Sequence, residues 1–178
     1  VVQQEVLTDV RSFNRALIHV LRQDPDVIVV GEIRDHEAVA TALTAAETGH
    51  LVLATLHSPS VAHALERVIG VFDGSMQKQI ILQLANSLQA VIAQELLPAV
   101  DRNRRVLAYE LLIANGAVRN IIRENQLHLL DNVIRTGRKD GMVLMDSCLH
   151  DLYLRCLISY DVAVGRARHP DEVVRKQG

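Results

Sequence analysis

The sequence predicts an α/β fold in which short parallel strands alternate with helices, followed by a smaller helical region from residue 114 onward. Three observations lead there. Two short apolar runs, VIVV at 27–30 and LVLATL at 51–56, are flanked by stretches of helical periodicity, which is how strands covered on both faces of a parallel sheet read. Two further strand-like runs, AVIAQELL and RVLAYELLIA, are joined by the turn-like PAVDRNRR and predict an antiparallel hairpin at the sheet margin. After Asn115 no strand pattern recurs, so the division falls between 1–113 and 114–178.

Each element has a local reason. Phe13, Ala16, Leu17, Val20 and Leu21 recur at helical spacing behind Ser12, a capping residue, and DPD at 24–26 stops that helix. VIVV follows as a strand. Asp35 caps a second helix whose apolar stripe is Val39, Ala42, Leu43 and Ala46, with Gly49 placed to close it. LVLATL is the next strand, SPS opens a helix over about 60–70, and another covers about 75–88. Beyond the hairpin, short helices are expected at about 116–124, 126–135, 145–157 and 160–168, with RTGRKDG and LIS as breaks.

Composition narrows the function. Hydrophobic residues make up 49% of the 178 but aromatics only 3%, with no Trp, so the core is aliphatic. A net charge of -2 gives no general nucleic-acid-binding surface. No apolar run is long enough for a transmembrane helix, and the opening VVQQEVLTDVR lacks the basic start and apolar stretch of a signal peptide. Cys148 and Cys156, about two helical turns apart in an expected helix, are too distant for a disulfide and read as reduced thiols. A chain beginning at Val1 without methionine, in a strand-like stretch, is expected to be part of a longer protein.

Reactive groups in open parallel sheets collect beyond the carboxyl ends of the strands. Glu32 and His57 fall there, one after each apolar run, while His50 precedes the second run. If the strands are neighbours, about 4.8 Å apart, Glu32 and His57 can reach one ligand. A carboxylate there can polarise a water for attack on a γ-phosphate, and an imidazole can orient that water or sense the leaving phosphate. The competing reading is structural: Glu32 and Arg34 as a solvated pair at a strand end, His57 as a cap, His50 as a hydrogen-bond partner of the preceding helix. No G-x-x-x-x-G-K-[ST] loop occurs in the sequence, so it displays no phosphate cradle.

The stretch LRQDPDVIVVGEIRDHEAVATALTAAETGHLVLATLHSPSVAHALERVIGVF resembles the family of secretion and type IV pilus ATPases, most closely its pilus retraction (twitching-motility, PilT-like) branch. DPDVIVVGEIRD resembles the family's atypical Walker B, with glycine in place of the usual aspartate, and TAAETGHLVLATLHS resembles its histidine box. AVRNIIRE at 117–124 resembles the retraction-motor motif AIRNLIRE, and IRTGRKDGM and LISYDVA resemble downstream helices.

The resemblance implies a RecA-like P-loop NTPase core segment followed by a helical C-terminal region. It implies Glu32 as the catalytic glutamate, Gly31 as the Walker B glycine, and His50 and His57 as histidine-box members lining the nucleotide site. Arg34 and Asp35 would organise the turn after Glu32, with Arg34 at the nucleotide, and Arg67, preceded here by Glu66 where the family has Asp, would be structural. It further implies ATP and Mg²⁺, both held mainly by an upstream segment with the Walker A loop, so that the complete protein is an ATPase and this stretch alone is inactive. The implied assembly is a cytoplasmic homo-hexamer at the inner-membrane pilus base, acting on the platform protein, alongside a paralogous retraction ATPase and without nucleic acid. Two alternatives stand beside it: an assembly or type II secretion ATPase, and a non-catalytic partner of an active retraction ATPase.

Overall fold

The computed structural model describes residues 2–5, 7–33, 35–101 and 103–174. Packing groups them into two units. The first comprises the residues up to His57 with Ala64–Leu88 and Ile122–Asn125; the second comprises Ser58–His63, Gln89–Ile121 and the residues from Gln126 on.

In the first unit, helix α1 (Phe13–Val20) starts where Ser12 Oγ accepts the Arg15 N–H at 3.4 Å. A 3-10 turn, Leu21–Gln23, follows, and Asp24 in a left-handed conformation (φ 51°) ends it ahead of Pro25. Strand β1 (Val27–Val30) pairs in parallel with β2 (Leu51–Ala54), Val27 opposite Leu51 and Val30 opposite Ala54. Between them runs α2 (His36–Glu47), which packs on α1, on β2 and on α4 (Gly74–Ser87). Its buried face is Ala38, Val39, Ala42, Leu43 and Ala45. Gly49, at φ 100°, makes the turn into β2, a conformation that a side chain disfavours. Helix α3 (Val61–Gly70) precedes α4.

The expectation of strands covered on both faces does not hold here. Ile28 and Val30 are buried, but Val29 is 72% exposed and Leu53 51%. Among the described residues, cover comes to one face only. An apolar run records that burial is favourable on both sides, not that this stretch of chain supplies both covers.

In the second unit β3 (Ala90–Pro98) and β4 (Arg105–Ile113) form the expected antiparallel hairpin, Ala90 opposite Ile113 and Pro98 opposite Arg105. Its strands pair with each other rather than with β1 or β2, so it is a second sheet and not the margin of the first. Leu111 also exchanges both backbone hydrogen bonds with Val143, at 2.8 and 3.0 Å. Helix α5 (Gly116–Arg123) carries the AVRNIIRE stretch, with Asn115 Oδ1 accepting the Val118 N–H at 3.1 Å at its start. Val118 and Ile122 are fully buried, as the apolar stripe requires.

Helices α6 (Leu130–Thr136), α7 (Met145–Leu154), α8 (Tyr160–Arg166) and α9 (Pro170–Val174) complete the unit. Leu97 and Ala108 of the hairpin pack with Leu149, Leu152, Ile158 and Ala163 in its core. The sequence change at 113 marks where strands give way to helices, while the packing joins the hairpin to the helices that follow it. RTGRKDG contains a 3-10 turn, Gly137–Asp140, and α9 is an element that the sequence did not announce.

Cys156 lies outside α7. The helix ends at Leu154, and Cys156 adopts a left-handed conformation (φ 53°) with its N–H donated to the Tyr153 carbonyl at 2.8 Å. Cys148 is buried and Cys156 exposed, and neither is in a disulfide. Burial raises the Cys148 thiol above its ordinary range, against a hydrogen bond with the Tyr109 backbone that lowers it, and the Asp151 charge raises it further. A raised thiol is protonated more firmly in the folded state, so its contribution to stability is complete below the unfolded value near 9 and is lost as the pH climbs through the folded one. Iodoacetamide at pH 8 is therefore expected to modify Cys156 in the native protein and Cys148 only after unfolding, as read by peptide mass spectrometry. Equal labelling of both would contradict the packing of α7.

Candidate active site at the strand tips

The parallel pairing continues past the strands. Ile33 N–H donates to the Thr55 carbonyl at 3.1 Å, and the Thr55 hydroxyl donates to the Gly31 carbonyl. These bonds keep 31–33 beside the segment that leaves β2, and so carry Glu32 and His57 forward together from the carboxyl ends of the two strands. His57 Nε2 stands 3.4 Å from Glu32 Oε1. The carboxylate side chain is 22% exposed and the imidazole 86%. A carboxylate–imidazole contact this open to water adds little to folding, about 0–1 kcal/mol. Fold stability is therefore a weak reason for these two groups to meet.

Arg67 of α3 donates from Nη1 to the His57 carbonyl at 2.7 Å, which holds the backbone that carries the imidazole. Asp35 Oδ1 accepts the Ala38 N–H at 2.8 Å and fixes the first turn of α2 immediately after the Glu32 loop. Asp35→Ala is expected to cost about 1 kcal/mol, read as a lowered melting temperature, while Asp35→Asn, whose side-chain oxygen can still accept the Ala38 N–H, should keep most of the wild-type stability. Gly31 has no left-handed conformation, and a Cβ there would meet nothing within 4 Å, so neither backbone nor packing among the described residues demands a glycine.

The structure brings Glu32 and His57 together but not His50. His50 enters β2 from the opposite end, and its Nδ1 lies 3.0 Å from the Ala45 carbonyl and 3.2 Å from the Thr48 hydroxyl, closing the end of α2. In a parallel pair, one residue before a strand and one beyond it sit at opposite ends of the sheet. Arg34 lies outside the described residues. Sequence reasoning gave no role to Glu110, a fully buried carboxylate in β4, or to Arg168, its partner at 2.8 Å. A signal for the first existed: Ala108, Glu110 and Leu112 share the inward face of the strand, and a charge in that alternation requires partners.

Residues 2–140 match the model of the family described as type II/IV secretion system protein. A twitching motility protein of Neisseria gonorrhoeae is 45% identical over 96% of this chain and 46% of its own length. A type IV pilus retraction ATPase, PilT, of Pseudomonas aeruginosa is 43% identical over 95% of the chain and 49% of its own. Among solved structures, the pilus retraction motor PilT with bound ADP superposes with a TM-score of 0.86 at 44% identity, over 96% of this chain and 48% of that one. The chain thus spans about half the length of the curated relatives it matches. With its α/β fold and these matches along nearly all of its length, the chain belongs to the type II/IV secretion system protein family.

Proposed function

We propose that the complete protein is an ATP-hydrolysing motor of type IV pilus retraction and that Glu32 and His57 are two of its hydrolytic residues. The observation that carries this reading is their placement 3.4 Å apart beyond the carboxyl ends of paired parallel strands. It is supported by relatives named for twitching motility and pilus retraction and by an ADP-bound neighbour of the same fold.

In this reading Glu32, mostly shielded and with its partner in water, orients and polarises the attacking water and accepts its proton. His57, with an exposed ring, is free to meet the γ-phosphate side of the site and to report its presence. His50 closes α2 instead of touching ligand, and Arg67 keeps the His57 backbone in place. Among the described residues no group of three His, Cys, Asp or Glu side chains could hold a metal ion. The phosphate cradle and the ligands of Mg²⁺ are assigned to other parts of the complete protein, as are the hexameric ring, the attachment to the inner-membrane platform and any paralogous motor. The division of the chain near residue 113 is proposed as the border between ATPase domain and helical region.

Retraction and assembly motors are separated by what their loss leaves behind. Cells carrying Glu32→Gln in the chromosomal gene are expected to stop twitching while pili accumulate on the surface, counted by electron microscopy or by shearing. Bare cells would assign the protein to assembly, and unchanged twitching and piliation would remove it from either role.

A further inference from the structure

Glu110 is the most deeply placed charge among the described residues, and both its oxygens are engaged. Oε1 accepts the N–H of Val61, the first residue of α3, at 2.9 Å. Oε2 accepts Arg168 Nη2 at 2.8 Å and, at 3.4 Å, the N–H of Met145, the first residue of α7. One buried carboxylate is thus balanced by a guanidinium and by the positive ends of two helices.

Arg168 is positioned in its turn. The two oxygens of Asp146 accept the backbone N–H groups of Arg168 and His169, each at 2.9 Å, and Asp131 takes Arg168 Nη1 at 3.3 Å. Burial alone would make the guanidinium easier to deprotonate. The hydrogen bond to Glu110 and the charges of Glu110, Asp131 and Asp146 outweigh it and hold Arg168 above its ordinary value. Stability from a raised cation is present below its unfolded value and is lost only as the pH rises through the folded one, so Arg168 stays charged at any working pH.

The helix start that Glu110 holds follows directly on His57, through residues 58–60. We propose that Glu110 is a positioning residue for the strand-tip site: it fixes the start of α3, and with it the segment leaving His57, and Arg168 sets how firmly it does so. Without Arg168 the buried carboxylate loses its main counter-charge and must draw in water or turn toward another donor, which weakens its hold on the Val61 N–H. The C-terminal segment from Arg168 thereby tunes the loop that carries His57. This inference rests on the hydrolytic reading of Glu32 and His57.

The test uses the complete protein, with amide hydrogen exchange by mass spectrometry beside steady-state ATP hydrolysis. In Arg168→Gln, the peptide covering 58–63 is expected to exchange on the order of tenfold faster. After correction for folded fraction, kcat should fall by a similar factor at unchanged KM for ATP, and Arg168→Lys should restore most of both. Exchange that quickens only in 145–150 and 168–174, with 58–63 at the wild-type rate, overturns the proposal. So does a kcat that follows the folded fraction alone. Should Arg168→Gln not fold, Asp131→Asn, which loosens Arg168 but leaves its pair with Glu110, is read the same way with a smaller expected change. A wild type that hydrolyses no ATP overturns the hydrolytic reading and the positioning role together, while the exchange result still shows whether the pair fastens α3.

Discussion

Replacing Glu110 by alanine is expected to destabilise the protein by about 3–5 kcal/mol, the largest stability loss of any single substitution considered. The carboxylate is fully buried, and its removal leaves the Arg168 guanidinium and the Val61 N–H without their acceptor. The cost falls mainly on the donors left without an acceptor, since Arg168, 31% exposed, keeps Asp131 as a second partner. Glu110→Gln keeps an oxygen for the Val61 N–H and gives up the charge-assisted bond, so its loss should be smaller, about 1.5–3 kcal/mol. Urea unfolding of the three proteins measures both numbers. A Glu110→Ala loss below about 1 kcal/mol, the range of an exposed pair, would show that Glu110 does not hold the Val61 N–H and Arg168 together in the folded protein.

Glu32→Gln is expected to act on rate alone. Glutamine is nearly isosteric and still hydrogen-bonds, but it cannot accept the proton of an attacking water, so kcat for ATP should fall by about 10²–10⁴-fold with KM little changed. Stability should move by no more than about 0.5 kcal/mol, because glutamine keeps the shape and a hydrogen-bonding oxygen of the side chain and the contact with His57, 86% in solvent, is weak. A mutant losing rate and stability together would mark Glu32 as part of the scaffold. His57→Ala should lower kcat less, since an imidazole that orients or senses is not the proton acceptor.

The local architecture was legible where one short stretch decides the outcome. VIVV is strand β1 to the residue, because DPD on one side and glycine on the other bound an apolar run. Ser12 and Asp35 cap their helices through their own side chains, and Gly49 takes the left-handed turn predicted for it. The candidate site was half legible. Glu32 and His57 could be placed at strand ends from sequence, and parallel pairing then made them neighbours. The same pairing sends His50 to the far end, a consequence of strand direction that spacing along the chain does not display.

What stayed hidden is long-range. Glu110 is separated by 49 residues from Val61 and by 58 from Arg168, and no local pattern couples such positions. Parity along β4 shows that Glu110 points inward but not what meets it. Likewise the apolarity of Val29 and Leu53 says that cover is favourable without naming the cover. Cys156 ends α7 in a left-handed conformation without the glycine or asparagine that would have signalled it.

Mg²⁺-dependent phosphate release from the complete protein, wild type beside Glu32→Gln, with nucleotide binding measured on the same samples, tests hydrolysis at the tips of β1 and β2. Both proteins are expected to bind ATP with similar affinity, and only the wild type to turn it over. Equal turnover by both, or binding without turnover in a correctly assembled wild type, would contradict it.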